Sequence, residues 1–511
     1  MTKRYLIIGC LTALTLFSAC GKSFLEQTNP NAIPTEDYFQ SENDVLLAVN
    51  GAYQSLRSGD GLGENSGLYT DERSDDAGRN DNQSNAGEPF QFNDFSLLPS
   101  NTYLKTHWLG LFQIITRANL VLTNIDGITF LNPDNKTRYT AEAKFIRALA
   151  YFHLVRKWGD VPLVTKQLRT LDEVAANTFR EKQEKVYAQI VADLKDAVNS
   201  NLPAQASGDN RGRASKAAAN ALLGQVYLTM ATTLDAANRT ANLENARVSL
   251  TAAWDARTFG TLKEIPYTDV FDVNKKGTCP ELIFQIVNKQ GDINFCSTIA
   301  ANNQVKGETI NSQKVMSATD GNVTPDLVKE YEEGDPRKDF SVKFANDAAV
   351  KNYFITKFRD ASDGAGKSGY GGNDWVLIRY ADVALMLAEV YMYQGNDATA
   401  IQFLDQVRER AGVPLYAAAK ADPNYSSKFP TLKLAILHER RVELAFEHHR
   451  WFDLLRFFTT ADLVTYMHAK DQADYGKAKL TNFGTKDRYY PIPFDEYKLD
   501  PVKMYQNPGY Q

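Results

Sequence analysis

Apolar residues recur at intervals of three and four along most of this chain, the spacing of amphipathic helices. The pattern is organised around Ile436–Arg456, which no Gly or Pro interrupts and which predicts a single helix of about five to six turns. Leu437, Leu444, Trp451, Leu455 and Phe458 share one stripe, which should face a core. Glu439, Glu443, Glu447, Arg450 and Asp453 form a second stripe, with Phe446 and Leu454 in or beside it. Glutamates at i, i+4 spacing repel unless cations meet them, and Arg440, Arg450 and Arg456 are near in sequence. So many carboxylates read either as a catalytic acid/base pair or as an ion-paired helix locking two layers together; the second reading is preferred.

The same periodicity predicts helices over Asp44–Arg57, capped by Ser41, and over Asn101–Asp126, with Trp108, Phe112, Ile115 and Leu122 as its stripe. Further helices are expected at Thr140–Lys157, Glu181–Ser200, Ser215–Thr232, Leu243–Arg257, Val376–Tyr393 and Ala398–Arg410. Gly59–Ser100 breaks the pattern. It is dense in Gly, Asn, Asp and Ser, yet Tyr69, Phe90, Phe92 and Phe95 argue against plain disorder. Phe259–Asp374 mixes short β-like runs, Leu282–Val287 and Tyr353–Phe358, with Gly- and Asn-rich loops, and after Thr460 the chain reads as loop. A small residue followed three later by Tyr recurs at Ala148–Tyr151, Gly224–Tyr227 and Ala388–Tyr391, as in tetratricopeptide units. The copies are irregularly spaced, so they predict helix pairs with insertions rather than a regular solenoid; ordinary antiparallel packing fits each copy nearly as well.

The first residues change the picture. Lys3 and Arg4 precede an apolar run, Tyr5–Phe17, too short to span a bilayer, and then Ser18-Ala19-Cys20. This resembles a bacterial lipoprotein signal peptide, which implies cleavage before Cys20 and lipidation of its thiol; the alternative is an ordinary secretory signal cut after an alanine. Residues 1–19 then form the signal peptide, 20–40 a tether, and 41–511 one compact unit. That unit divides into a helical scaffold at about 41–58, 101–258 and 375–460, and loops at about 59–100 and 259–374.

Composition, 43% hydrophobic and 23% charged over 511 residues, is that of a globular protein. A formal net charge of −5 without a basic tract argues against nucleic acid as a partner. Of four cysteines only Cys279 and Cys296 are left to pair, and sequence spacing leaves a bridge open. No metal motif is present. His448-His449 are adjacent, and His438-Glu439 lacks the second histidine of HExxH. Asp71, Asp75, Asp76 and Asp81 do not have EF-hand spacing, so a structural Ca²⁺ is allowed by residue type but not indicated, and no cofactor is expected.

Several blocks, in order along nearly the whole mature chain, resemble the SusD/RagB family of nutrient-binding outer-membrane lipoproteins. Glu142–Val164, EAKFIRALAYFHLVRKWGDVPLV, is similar to the family's EAxFxRAxxYFxLVxxxGDVPLV block. Glu439, Arg440, Glu443, Leu444, Phe446, Glu447, Arg450, Asp453, Leu454 and Arg456 match its ERxxELxFExxRxxDLxR block. Tyr490-Pro491-Ile492-Pro493 with Gln506–Tyr510 resembles the PIP…QNPGY ending. Val49–Tyr53 and Ile378–Asp382 also match, with Asp382 where the family usually has Glu. The resemblance implies a mostly α fold of four tetratricopeptide-like helix pairs, with a loop-rich lobe carrying a few short strands. It implies lipid anchoring at the outer membrane, facing the exterior. It also implies a SusC-like TonB-dependent transporter as partner, and a ligand that is usually a glycan and sometimes a peptide, on which no chemistry is done.

A sugar-binding face needs aromatic rings for C–H-rich sugar faces and polar side chains for hydroxyls, usually on loops. The Gly59–Ser100 insertion offers Tyr69, Arg73, Asp75, Arg79, Asn80, Asn82, Phe92 and Asn93. The mixed lobe offers Asn294, Phe295, Asn302, Asn303 and Tyr370. Trp108, Trp158, Trp254 and Trp451 read as packing residues, and Trp375, placed at a helix start after a Gly-rich loop, as a further ligand candidate. The function expected is nutrient capture, most naturally of an oligo- or polysaccharide. The alternatives are a peptide ligand, a surface glycosidase using the carboxylates of 436–456, or a pure protein-binding scaffold.

Overall fold

The computed structural model describes residues 38–510 except 79–86, 235, 303–308, 311–312, 315–321, 347–350, 363, 366–368 and 476–479. The lipidation site Cys20, the loop residues Arg79, Asn80 and Asn82, and Asp81 and Asn303 lie outside the described residues.

The scaffold is a succession of helices, each packed on the next. These are α1 (Glu42–Ser55), α2 (Thr102–Asn124), α3 (Pro133–Trp158), α4 (Gln183–Val198), α5 (Lys216–Thr233), α6 (Arg239–Asp255), α7 (Tyr380–Tyr393) and α8 (Asp397–Ala411). Their N-termini follow local chemistry. Ser41 and Asp44 form a capping box on α1, Asn101 caps α2, Asn132 with Pro133 starts α3, and Ser215 caps α5. α3 therefore begins a turn or more before the apolar periodicity does. The small residue at Gly224 has a packing reason. A Cβ there would sit 2.5 Å from Leu250 Cγ on α6, so α5 and α6 approach as only a glycine allows. One large core runs through all these helices.

Sheet structure is confined to short pieces. β1 (Ala77–Gly78), β2 (Leu282–Ile286), β3 (Asn322–Val323), β4 (Val342–Asn346), β5 (Lys351–Ile355) and β6 (Trp375–Arg379) make an antiparallel sheet of order β1-β3-β5-β4 and a separate β2–β6 pair. Trp375 thus starts a strand, not a helix, and α7 begins only at Tyr380, whose N–H is held by the Glu281 carbonyl. Val376, Leu377 and Ile378 are apolar at consecutive positions and suit a strand buried on both faces as well as a helix start.

Ile436–Arg456 is not one helix. α9 (Leu432–Glu443) ends, the chain turns through 444–449, and α10 (Arg450–Phe457) begins. Phe446 and His448 both have φ of 64°, a left-handed conformation costly for non-glycine residues. Surrounding groups hold the turn in place. The Glu443 carbonyl, freed from the helix ladder, accepts from Lys357 Nζ (3.1 Å), Arg379 Nη2 (2.9 Å) and Tyr267 Oη (3.1 Å). The Ala445 carbonyl also accepts from Lys357, at 2.9 Å. Two cations thus sit at the negative end of α9. The break also divides the apolar stripe. Leu437 and Leu444 join the main core, whereas Trp451 and Leu455 join a second cluster with Phe95, Leu463, Met467 and Phe483. Nor is the chain loop-like after Thr460, since α11 (Thr460–His468) follows, capped by Thr459.

The C-terminal tail closes back onto the end of α3. The Trp158 indole donates to the Pro491 carbonyl at 2.9 Å, and the Asn507 amide donates to the carbonyls of Trp158 (2.9 Å) and Tyr490 (2.7 Å). Blocks remote in sequence therefore meet in one corner.

Candidate functional site

Two regions concentrate polar side chains, and they differ in what remains free. Around the α9–α10 turn every carboxylate of the charged stripe is buried and matched by cations. Glu443 meets Arg379 (2.6 Å), Arg337 (3.0 Å) and Arg410; Glu439 meets Arg337 (2.6 Å) and Arg408 (2.8 Å); Glu447 meets Arg379 (2.7 Å) and Lys357 (2.6 Å). The neighbours Arg440 and Arg456 neutralise Asp453 instead, at 2.9 and 2.8 Å, and go on to Asp382 and Glu389 of α7. Arg450 grips Asp75.

Burial alone would raise these carboxyl pKa values, but the guanidiniums outweigh it. Arg410, Arg379 and Arg337 hold Glu443 far below the usual carboxylate range, Arg379 and Lys357 hold Glu447 at about 2, and Arg440 and Arg456 hold Asp453 at about 2. Carboxylates kept ionised and saturated with donors are poor proton shuttles, which need a pKa near the working pH. This is the geometry of a brace between layers. Glu332, His438 and Glu439 bring potential metal-ligand atoms within 4.8 Å of one another, but Arg408 pairs with both glutamates.

The sequence-derived ligand residues of the Gly59–Ser100 insertion are mostly inside. Tyr69 stacks on His107 at 3.8 Å, Phe92 is buried against Tyr69 and Tyr490, and the Asn93 amide donates to the Glu72 carbonyl. Arg73 is fully buried, facing the rings of Phe95, Trp451 and Tyr490 and paired with Asp487 at 3.2 Å. Asp75 is ringed by Arg450, Arg441 and Lys470. Asp76 pairs with Arg441, so both aspartates have cationic side chains as partners. Trp375 is 1% exposed, against Phe358 and His448. Tyr69, Arg73, Asp75, Phe92, Asn93 and Trp375 are thus buried, which leaves them little surface to offer a ligand, although Arg73 Nε and Nη1 and the Trp375 indole N–H have no hydrogen-bond partner among the described residues. The insertion folds inward because its aromatics gain more from the core than its polar residues lose. All five tryptophans are core residues.

The mixed-lobe residues lie otherwise. Asn294, Phe295 and Asn302 are exposed, with Phe295 at 42% and its neighbour Ile293 at 68%, and Tyr370 is half-buried. They belong to one loop seam, fastened by a residue that sequence reasoning missed. Glu64, in a 3₁₀ turn at Glu64–Tyr69, accepts from Ser297 Oγ (2.5 Å) and from the backbone N–H groups of Thr298 (2.6 Å) and Ile299 (3.2 Å), and the Asn288 amide reaches it at 3.3 Å. Burial raises its pKa, against the pull of these donors. Arg57, at the end of α1, donates to the Val287 and Cys296 carbonyls and lies over the Phe295 ring at 5.6 Å. Asn65, exposed, bonds Thr298 Oγ1 and Asn302, both at 3.2 Å. Across the seam, the Gly291 N–H donates to the Tyr370 carbonyl, and Ser297 pairs with Gly371. Here an exposed aromatic and exposed amides stand on a pinned loop. Asn294, Phe295, Asn302 and Tyr370 were legible in sequence; the fastening was not, because Glu64 and the Ser297–Ile299 donors are more than two hundred residues apart. Cys279 and Cys296, which lie on either side of β2, are free thiols, and burial lifts that of Cys279 to about 11.

With this geometry in hand, comparison with known proteins identifies the class. The model described as "SusD family" matches residues 235–510, and one described as "Starch-binding associating with outer membrane" matches residues 23–228. The chain belongs to the SusD family. It is similar to "SusD-like protein P2" of Formosa agariphila, 27% identical over 99% of this chain and 100% of that protein. It is also similar to a solved "Laminarin binding SusD-like protein", at 28% identity and TM-score 0.71, over 92% of this chain and all of that one. The fold is shared with a surface glycan-binding protein A from Bacteroides thetaiotaomicron, solved with laminarihexaose, at 20% identity and TM-score 0.73 over 92% and 100% of the two chains. A surface glycan-binding role and association with the outer membrane follow at the level of the family. No helix among the described residues is long and apolar enough to cross a membrane.

Proposed function

We propose that this protein captures a glycan at the cell surface and hands it to a SusC-like TonB-dependent barrel, doing no chemistry on it. The observation that carries the reading is full-length similarity to a laminarin-binding relative, together with an exposed aromatic seam of matching chemistry. Phe295 and Ile293 supply apolar surface for sugar C–H faces; Asn65, Asn294 and Asn302 supply amides that both donate and accept. Tyr370 stands behind them, and Glu64 with Arg57 keeps the loop in register, so binding costs little ordering. Lipidation at Cys20 would keep the protein at the membrane and beside its barrel, where modest affinity suffices because local concentration is high.

The test is a glycan array on residues 21–511, including laminarin oligosaccharides, followed by titration calorimetry of wild type and Phe295→Ala. Binding of a glycan that weakens about tenfold in the variant, with no new reducing ends, supports the reading. Binding only to peptides, or release of reducing ends that Glu443→Gln abolishes, overturns it. For the partner, a TonB-dependent barrel should co-purify from membranes and be lost with Cys20→Ser.

A further inference from the structure

Where α3, α4, α5 and α10 meet the C-terminal tail, three guanidiniums line one small pocket and no carboxylate does. They are Arg156 of α3, Arg456 of α10 and Arg488 of the tail. The pocket leaves about 10 Å³ for the centre of a water-sized sphere, so it holds one particle of roughly that size. Its rim, Gln183, Thr233, Arg488 and Tyr489, is half-buried and keeps it within reach of solvent.

Arg156 is a buried charge without a counter-charge. Its guanidinium is clamped between the Phe152 ring at 3.8 Å and the Phe452 ring at 3.6 Å, and its Nε donates to the Phe152 carbonyl at 3.1 Å. Only the edge that carries Nη1 and Nη2 is left. Neither nitrogen meets an acceptor among the described residues, and neither is sealed from solvent. Burial, with repulsion from Arg456, holds the Arg156 pKa down at about 9. Arg456 spends Nε and Nη2 on Glu389 and Asp453, which leaves its Nη1 unpartnered among the described residues. Arg488 lies over the Tyr489 ring at 5.0 Å and pairs with no carboxylate among the described residues. The threonines do not compete, since Thr229 and Thr233 donate to carbonyls of their own helix. A guanidinium buried without an acid is costly, and an anion that meets its free edge recovers that cost.

We propose that this pocket binds a monatomic anion, chloride, and that the ion fastens the C-terminal tail to α3 and α10. The free edge of Arg156 and Nη1 of Arg456 hold it, and Arg488 adds its charge from the tail. The size of the pocket selects a halide over sulfate, phosphate or a sugar acid, each of which needs more room. The proposal is independent of the glycan-binding reading, because the pocket shares no lining residue with the loop seam.

Melting of the chain 21–511 at fixed ionic strength, with sodium gluconate exchanged stepwise for sodium chloride, tests this. Chloride should raise the melting temperature by about 2 °C, and the rise should saturate, as mass action requires of a single site. Arg156→Met keeps a side chain between the two rings and should abolish the chloride response. Arg488→Gln, at a half-buried position, should move the midpoint of the response to about threefold more chloride. A crystal grown in bromide should show an anomalous peak within hydrogen-bond reach of Arg156 Nη1 and Nη2. Equal melting in chloride and gluconate, a chloride response kept by Arg156→Met, or no bromide at the pocket overturns the proposal. Should Arg156→Met fail to fold, Arg488→Gln and the bromide peak decide. A saturating sulfate response that Arg156→Met abolishes would overturn the assignment to a monatomic ion.

Discussion

The α9–α10 brace and the Glu64 seam are both rich in charged and amide groups, and they have opposite uses. In the brace, Glu439, Glu443, Glu447 and Asp453 are buried and each meets at least two cations. In the seam, the half-buried carboxylate of Glu64 collects its donors from one loop, and the nearby Asn65, Asn294, Phe295 and Asn302 face water. Density of charge in a sequence therefore does not locate a binding surface. What locates it is polar and aromatic surface left unspent after folding, because spent groups have no free energy to offer a ligand.

The largest blow to this contrast should come from Glu443→Ala. It would take one carboxylate each from Arg379, Arg337 and Arg410, which keep Glu447, Glu439 and Glu281, and removing one partner from a buried network costs about 3–5 kcal/mol. Urea unfolding should show that loss, while the fraction still folded binds glycan as wild type does; a fall in affinity without loss of stability would place ligand in the brace instead.

Acid should act next, and through the brace. Glu447 and Asp453 have folded-state pKa values of about 2, below their unfolded values, so their stabilisation is complete above the ordinary carboxylate range near 4. It is lost as pH falls from there through about 2. Asp76 runs the other way: burial raises it to about 6, so it favours the folded state more as pH falls through 6 towards 4. Urea midpoints measured from pH 7 down to 3 should be roughly level at first and drop below about pH 4. A drop centred near pH 6 would mean that a different group governs.

A smaller effect, on both properties at once, is expected from Glu64→Ala. It frees the Ser297 hydroxyl and the Thr298 and Ile299 N–H groups, at about 2 kcal/mol of stability, and loosens the loop that carries Phe295. Calorimetry and unfolding should fall together; unchanged glycan affinity would separate the seam from binding. The smallest change should be Phe295→Ala, a tenfold or about 1.4 kcal/mol loss of glycan affinity with stability within about 0.5 kcal/mol of wild type. Equal binding by this variant would remove the exposed ring from the site.

Much of the scaffold is legible in the chain. Helix existence followed from periodicity, the Ser41 cap from its side chain, and the close α5–α6 approach from Gly224. The breaks were not legible. Nothing local ends a helix at Glu443, since the groups that satisfy its carbonyl come from Lys357, Arg379 and Tyr267. The burial of the insertion was not legible for a related reason: Tyr69, Phe92 and Arg73 are as suited to an aromatic core as to a sugar, and only their neighbours decide.

By itself, then, the sequence determined what short-range physics determines. It set which stretches are helical, where small residues let helices close, and, through its ordered blocks, the family to which the chain belongs. Only the tertiary structure decided which charges are spent and which rings are wet. Partner choice for a buried carboxylate, and exposure for an aromatic, are set by contacts between residues tens to hundreds of positions apart, and no local pattern encodes that distance.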